Sequence, residues 1–540
     1  MSVNRPHPGS PHGAATAGSP VVPAWRFDRP VLTLPDTERG ISHAWTVRDA
    51  FEGVQVFGGT GSGKTSGSGR ALALGLLQAD FGGLVLTAKP TDAEDWAGPK
   101  GYMRLAGRRD RPIVVGPPSR WEQYAAWGVE VPPGGHQLDF LDYEFGRLTR
   151  SKVSPSLNLV SLLETALEVG RPQEPGSSSE PFWNDTFRQL LQNAVDLAIM
   201  ADGAVTLPRI KDIVISHPMT YEEGQSPAWR ASGSVCWKCI AKAQERFDRG
   251  EPPEFYDEED LRQTAIYWLV DLASLAFKTR SNIRTMFTSK IDFLLRSPLR
   301  QMFSPLGLDD SECSFSPTFP PDLTHHGRVI ILDFPIKSFG ELGRFVQVLY
   351  KTLWQMATED RAVEVDQAAG IGKGQSPVFL WADESQYFVT MRDLAFQLTA
   401  RSKCAATVYL TQNLPNYYAM LKGADNRSIA DSLVGNLQTK IFHANGDPTT
   451  NEWGEKLFGS SVTRMRSGST SLSGDRTVGS TDSVVPVVLA QQFARLRKGG
   501  PAADHRVDCY LFQSGRLFDP SDARSGHVLK SEFTQGPLRP

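Results

Sequence analysis

Cysteine is scarce in this chain: five in 540 residues, an odd number with no regular framework. That usage excludes a disulfide scaffold and suits a reducing compartment. Long apolar runs are missing as well. No segment approaches the ~18–20 consecutive apolar residues needed to span a bilayer, and the amino terminus lacks the basic-then-apolar plan of a secretory signal. The sequence therefore predicts a cytoplasmic protein with no direct membrane insertion, any membrane contact coming through a partner. Neither sign of charge dominates. With 57 Lys and Arg against 60 Asp and Glu, the net charge is −3, which excludes a globally basic nucleic-acid binder while leaving room for a local basic pore in an assembled ring. The length suggests two or three structural units, at ~150 residues per domain.

What is present is a complete phosphate-binding loop, Gly58-Gly59-Thr60-Gly61-Ser62-Gly63-Lys64-Thr65, of the form G-x-x-x-x-G-K-[ST] and followed by Ser66. Wrapping a polyphosphate with backbone N–H groups needs glycines that accept unusual φ/ψ and let the main chain come close. Lys64 can reach the β- and γ-phosphates, Thr65 can place its hydroxyl on Mg²⁺, and the next helix adds its positive dipole end. The context strengthens the match. Val54-Gln55-Val56-Phe57 reads as a buried strand before the loop, and Ala71 to Leu77 continues apolar as a packed helix would. The implied ligands are ATP and Mg²⁺.

Along the chain, residues 1–24 are rich in Pro, Gly, Ser and Ala and are expected to be a disordered tail. A first part of an ATPase core, 25–155, carries strands at Val54–Phe57, Gly83–Lys89 and Pro112–Val115, with Gly135 to Phe140 as a further edge element. Lys89 and Asp92 fall at the carboxyl end of this sheet, where open α/β folds keep their ligands. Residues 156–326 form an inserted all-α domain. Its first long helix carries Trp183, Phe187, Leu190, Leu191, Ala194 and Leu197 on one stripe, a second runs from about Leu261 to Phe277, and a third has Ile283, Phe287, Ile291 and Leu295 on its apolar face. Lys278, Arg280, Arg284 and Lys290 make a basic edge there, for which a solvated face is a plainer account than a phosphate-tracking one. Cys236 and Cys239 have the spacing of half a zinc site, but no nearby histidine pair completes it. The core resumes over 327–520, with a Ser/Gly/Thr-rich mobile loop at 461–483 carrying Arg464, Arg466 and Arg476, and 521–540 is expected to be a loose tail. Alternating strands and helices at this spacing indicate an α/β fold with a mostly parallel, doubly wound sheet.

The second half supplies the carboxylates. Val378-Phe379-Leu380-Trp381-Ala382 is a buried strand ending in Asp383 and Glu384. Hydrolysis needs Mg²⁺ held from its second shell and a base that activates water, roles that suit Asp383 and Glu384 respectively. Asp333 also ends an apolar strand, but Phe334 follows it where a second acid is wanted, so Asp383 is preferred. Ala406 to Gln412 is another buried strand, placed beside the loop strand, and Gln412 could sense the γ-phosphate or hold the water. Arg401 follows a helix over Asp393 to Arg401 and could enter a neighbouring subunit's site.

With Phe57 to Thr65, Trp381-Ala382-Asp383-Glu384-Ser385-Gln386, Ala400-Arg401-Ser402-Lys403, Thr411-Gln412-Asn413 and Asn436 to Trp453, the chain resembles the FtsK/HerA class of P-loop motors. Within that class it is similar to the TraG/TraD-like coupling proteins of conjugation and type IV secretion, over roughly residues 45–515. The resemblance implies a RecA-like core, a hexameric homo-oligomer with ATP between subunits, and DNA drawn through the pore. It also implies Lys64 and Thr65 on phosphate and metal, Gln412 as sensor and Arg401 as a finger acting in trans. Partners of the family's kind would be a relaxase, a secretion channel or, in a HerA-like DNA-processing or defence role, a nuclease. A protein-remodelling ATPase not acting on DNA is the other reading. Coupling proteins usually begin with transmembrane helices where this chain has a short tail, so recruitment to the inner membrane would need a partner.

Overall fold

The computed structural model describes residues 24–169, 181–305, 317–421, 425–470, 476–522 and 524–536. Its frame is a nine-stranded sheet, β1 (Val54–Phe57), β2 (Gly82–Leu86), β3 (Ile113–Val115), β4 (Val329–Leu332), β5 (Val378–Ala382), β6 (Ala405–Thr411), β7 (Thr439–Phe442), β8 (Arg506–Gln513) and β9 (Val528–Thr534). The spatial order is β9-β8-β7-β1-β6-β5-β2-β4-β3. All pairings from β7 to β3 are parallel, and β8 runs antiparallel to both of its neighbours.

The central strands read as unbroken apolar runs because both faces of the sheet are covered. Side chains alternate between two cores. Val378, Leu380 and Ala382 join one cluster with Leu349, Trp354, Phe396 and Leu433. Phe379 and Trp381 face the other way, toward Trp96, Leu72, Leu76 and Trp45. The first cluster continues without a break into the inserted helices, since helix Ser156–Val169 packs on both the long helix Ile336–Asp360 and helix Pro181–Asp202. Among the described residues no single helix is long and apolar enough to cross a membrane.

Several elements differ from the sequence-based expectation. Gly135 to Phe140 is not a strand. Asp139 accepts hydrogen bonds from the N–H groups of Leu141 and Asp142 and caps a helix over Phe140–Arg150, a short polar acceptor at a helix start winning over extended pairing. The helix expected to reach Phe277 stops at Ser274, and Phe277 opens the next one. That next helix ends at Ile291, leaving Leu295 in the following turn. The basic edge is partly structural: Arg280 is buried and donates to the Ala273 carbonyl, and the Lys290 amine sits 3.9 Å from the Phe187 ring centroid. Cys236 and Cys239 are buried in helix Val235–Asp248, where burial pushes both thiols up, Cys239 to about 12, so they act as core residues. Among the described residues no cluster of three or more His, Cys, Asp or Glu side chains could hold a metal.

Within 461–483, expected as a loop, the described residues form antiparallel strands that pair Ser460–Thr470 with Arg476–Pro486, and Arg464 meets Asp482 across them at 3.1 Å; residues 471–475 lie outside the described residues. The expected loose tail contains β9, the last strand of the sheet. The amino-terminal tail, residues 1–23, and Cys313 lie outside the described residues.

One buried ion pair ties the layers together. Lys351, on the long helix, bonds to Asp393 and donates to the Phe388 carbonyl at 2.7 Å. Asp393 also accepts from the Tyr409 hydroxyl at 2.7 Å, from Gln355 at 2.8 Å and from the Thr390 N–H at 2.7 Å. Lys351→Met should strand the Asp393 carboxylate without its cation and cost about 3–5 kcal/mol of stability. Urea denaturation checks this, and Lys351→Met combined with Asp393→Asn should recover much of the loss.

Candidate active site

The sheet order decides the site. β1 carries the phosphate loop, β5 the two carboxylates, and β6 lies between them carrying Gln412, so all three open on one carboxyl-terminal edge. This is where parallel α/β sheets hold ligands.

The loop has the conformation its glycines allow. Gly61 and Gly63 have φ of 70° and 84°, in the left-handed region. A Cβ on Gly58 would lie 2.4 Å from Ser62 Oγ, and one on Gly63 only 2.6 Å from Val507 on β8. Thr65–Gly69 then makes a wide π-helical turn, with Gly69 N–H donating to the Lys64 carbonyl at 2.8 Å, before the regular helix Arg70–Gln78. His443 braces this turn. Its Nε2 meets Ser68 Oγ at 2.7 Å and its Nδ1 the Asp508 carbonyl at 2.9 Å. Burial lowers the imidazole to about 4, so the neutral ring donates from Nδ1 and accepts from the Ser68 hydroxyl.

Lys64 is buried and donates to Glu384 Oε1 at 3.2 Å, with Asp383 Oδ1 at 3.8 Å. Thr65 Oγ1 donates to Asp383 Oδ2 at 2.9 Å, and Lys89 Nζ donates to the same oxygen at 2.9 Å. Burial works to raise the Asp383 carboxyl, but Lys64 and Lys89 outweigh it and hold the group below the ordinary carboxylate range. Glu384 sits in the left-handed region at φ 53°, ψ 47°, with its N–H on Asp383 Oδ1 at 3.0 Å. A non-glycine residue held there stores strain of the kind that collects at functional sites. Gln412 Nε2 lies 3.4 Å and Gln386 Nε2 3.0 Å from the Glu384 carboxylate, and Thr411 fixes Gln386 through its other end at 2.8 Å.

Of these groups Lys64, Thr65, Lys89, Glu384 and Gln412 line a cavity of about 860 Å³ that runs along Gly59 to Ser66 and out to Arg70, Lys100, Tyr102 and Lys337. The residues fit a nucleotide with Mg²⁺. Ser62 Oγ is buried in the loop with no hydrogen-bond partner among the described residues, and the Thr65 hydroxyl and Asp383 carboxylate, oxygen donors suited to a hard cation, are paired. Lys64, Glu384, Gln412, Thr65 and Asp383 thus converge. Asp333 does not. It closes β4 under Tyr124 at 2.6 Å and Arg120 at 2.9 Å, and burial raises it to about 6. Arg401 also stands apart, 66 % exposed and 3.4 Å from Glu52 at the amino end of the sheet, ~20 Å from the pocket by the length of β6. Reading the sequence missed Gln386, His443, Lys100 and Lys337. Gln386 alone had a legible signal, two residues past the carboxylate pair.

No family profile matches the chain, and no curated protein does. Solved structures do. The conjugative coupling protein TrwBΔN70 in its unbound monoclinic form aligns over 96% of this chain and 95% of its own, with TM-score 0.54 and 13% identity. The plasmid coupling protein TrwB bound to the non-hydrolysable ATP analogue ADPNP aligns over 96% of both chains, with TM-score 0.53 and 12% identity. TrwB in complex with ADP and Mg²⁺ gives 0.53 and 12% over 96% and 95%. The chain has the TrwB fold. The likeness spans the core and the helical insertion together, so the α/β sheet with inserted helices is one shared architecture.

Because Asp383 alone faces Thr65, Asp383→Asn should remove most of the gain in ADP affinity that Mg²⁺ confers, roughly tenfold or more. Asp333→Asn should leave that gain intact. Titration calorimetry with Mg²⁺ or EDTA separates the two carboxylates.

Proposed function

We propose that this chain is an ATP-hydrolysing ring motor that translocates DNA. The observation that carries the reading is the convergence of Lys64, Thr65, Asp383, Glu384 and Gln412 on one edge of a coupling-protein fold. Glu384 is the base. It takes the proton from a water aimed at the terminal phosphorus, the new phosphorus–oxygen bond forms as the bond to the bridging oxygen breaks, and ADP, phosphate and the proton leave. Gln412 orients that water and Lys64 offsets charge on the phosphates. Thr65 and Asp383 would hold Mg²⁺, which would supply Lewis-acid charge.

Arg401 belongs to the same reading. Exposed at the far end of the sheet and paired only at its rim with Glu52, it would approach a neighbouring subunit's pocket in a hexamer and stabilise transition-state charge there. DNA would pass through the ring, with a relaxase, secretion channel or nuclease as partner and recruitment to the inner membrane through it. TrwB is a conjugative coupling protein with solved ATP-analogue and ADP–Mg²⁺ complexes, which supports both the nucleotide and the process.

Steady-state hydrolysis with and without single- and double-stranded DNA at low salt, with mass in solution beside an ATP analogue, tests the proposal. DNA should stimulate turnover in a ring-sized species, and turnover that ignores both DNAs but rises with a partner protein would point to protein remodelling instead. Glu384→Gln should keep nucleotide binding and lose roughly 100-fold or more in turnover.

A further inference from the structure

The site holds a cation that the phosphate loop does not supply. Lys89 stands on the turn after β2, and its backbone is pinned there. Asp92 accepts from the N–H groups of both Ala88 and Lys89 at 2.8 Å, and the Ala88 carbonyl accepts from the Lys337 N–H at 3.0 Å. From this fixed root the side chain crosses to Asp383 Oδ2 at 2.9 Å, with Glu384 Oε1 at 3.9 Å. Lys64 meets the same two carboxylates from the other side, but the two lysines differ in freedom. The Lys64 side chain is 8% exposed and locked between them, whereas that of Lys89 is 38% exposed and borders the cavity.

Asp383 Oδ2 is claimed twice, by Thr65 and by Lys89. On the ATPase reading, on which this inference rests, Thr65 and Asp383 would hold Mg²⁺, and that oxygen would no longer be shared with Lys89. Lys89 must then find another anion. Within reach of an amine swinging about a pinned Cα, the anion that arrives with the nucleotide is its terminal phosphate, beside Lys64 and Glu384. Of the other cations that line the cavity, Lys337 is held on the Tyr387 hydroxyl at 3.3 Å, and Arg70 and Lys100 pair with neither Asp383 nor Glu384; among the described residues only Lys64 and Lys89 do.

We propose that Lys89 is a catalytic residue of this site, a second cation supplied by the same chain that grips the terminal phosphate of ATP. It tells ATP from ADP and offsets charge as the phosphoryl group transfers. A charge-assisted contact of this kind is worth roughly ten- to a hundredfold in affinity.

The experiment compares binding of AMP-PNP and of ADP, each with Mg²⁺, to the full chain and to Lys89→Met and Lys89→Arg, alongside kcat and KM. Lys89→Met should weaken AMP-PNP at least tenfold while leaving ADP unchanged, and should lower kcat by more than it raises KM. Lys89→Arg, keeping the charge, should restore part of both, and it carries the same comparison should Lys89→Met fold poorly. If Lys89 only positions Asp383, AMP-PNP and ADP weaken together; that result, or unchanged affinity for both, overturns the inference alone. A wild-type chain that binds neither nucleotide would overturn the ATPase reading and this inference with it.

Discussion

Everything at this site depends on keeping two carboxylates and two amines together with little water. Asp383 and Glu384 are almost wholly buried, and burying a charge without partners is costly enough that the group would neutralise instead. Lys64 and Lys89 close on the pair from opposite sides and keep Asp383 charged against its burial. The requirement propagates outward. The two amines come from β1 and β2 and the carboxylates from β5, so the strand order that seats β5 between β6 and β2 is what makes the charges meet.

That order was legible only in part. The glycines and Lys64 announce the loop because few other uses of such a run exist, and the strands β1, β2, β5 and β6 were readable because a strand covered on both faces is apolar at every position. The lower-contrast elements escaped. In β9 the inward residues Leu529, Ser531 and Phe533 alternate with Lys530 and Glu532, a half-buried pattern with a serine in its middle that composition alone presents as a polar tail. The hairpin over Ser460–Pro486 failed for a related reason. It is rich in Ser, Thr and Gly, and its strands are joined by an eleven-residue antiparallel register that such a composition does not announce. Cross-strand partners such as Lys89 with Asp383, 294 residues apart, leave no local trace at all.

The carboxyl-terminal strands are more than an edge. Val507 on β8 and Phe533 on β9 lie against Gly63 and Gly67 so closely that a Cβ on Gly63 would collide with Val507. Gln535, just past β9, donates to Ser66 Oγ at 2.8 Å and accepts from the Gly500 N–H at 2.8 Å. The glycines of the loop therefore serve two neighbours, the anion on one side and the sheet's last strands on the other. The late strands brace the loop from behind, with His443 as the polar rivet between them.

The same close coupling runs in the other direction, away from the loop. Gln347 on the long helix accepts from the Thr87 N–H at 2.6 Å and donates to the Thr87 and Phe334 carbonyls at 2.9 and 2.8 Å, clamping the helix to the end of β2 two residues before Lys89. One helical turn further on, Lys351 holds the same helix to Asp393 and to the Phe388 carbonyl, just beyond the Glu384 turn. This helix is also the one on which the inserted helices pack, through Ser156–Val169. The two turns that present Lys89 and Glu384 are thus bolted to a single rod whose far side carries the helical unit. Interiors packed this tightly transmit displacement rather than absorb it, so a shift of either turn as phosphate comes and goes would reach the inserted helices through that rod. The insertion is thus packed onto the rod that holds the site even though none of its described residues lines the cavity.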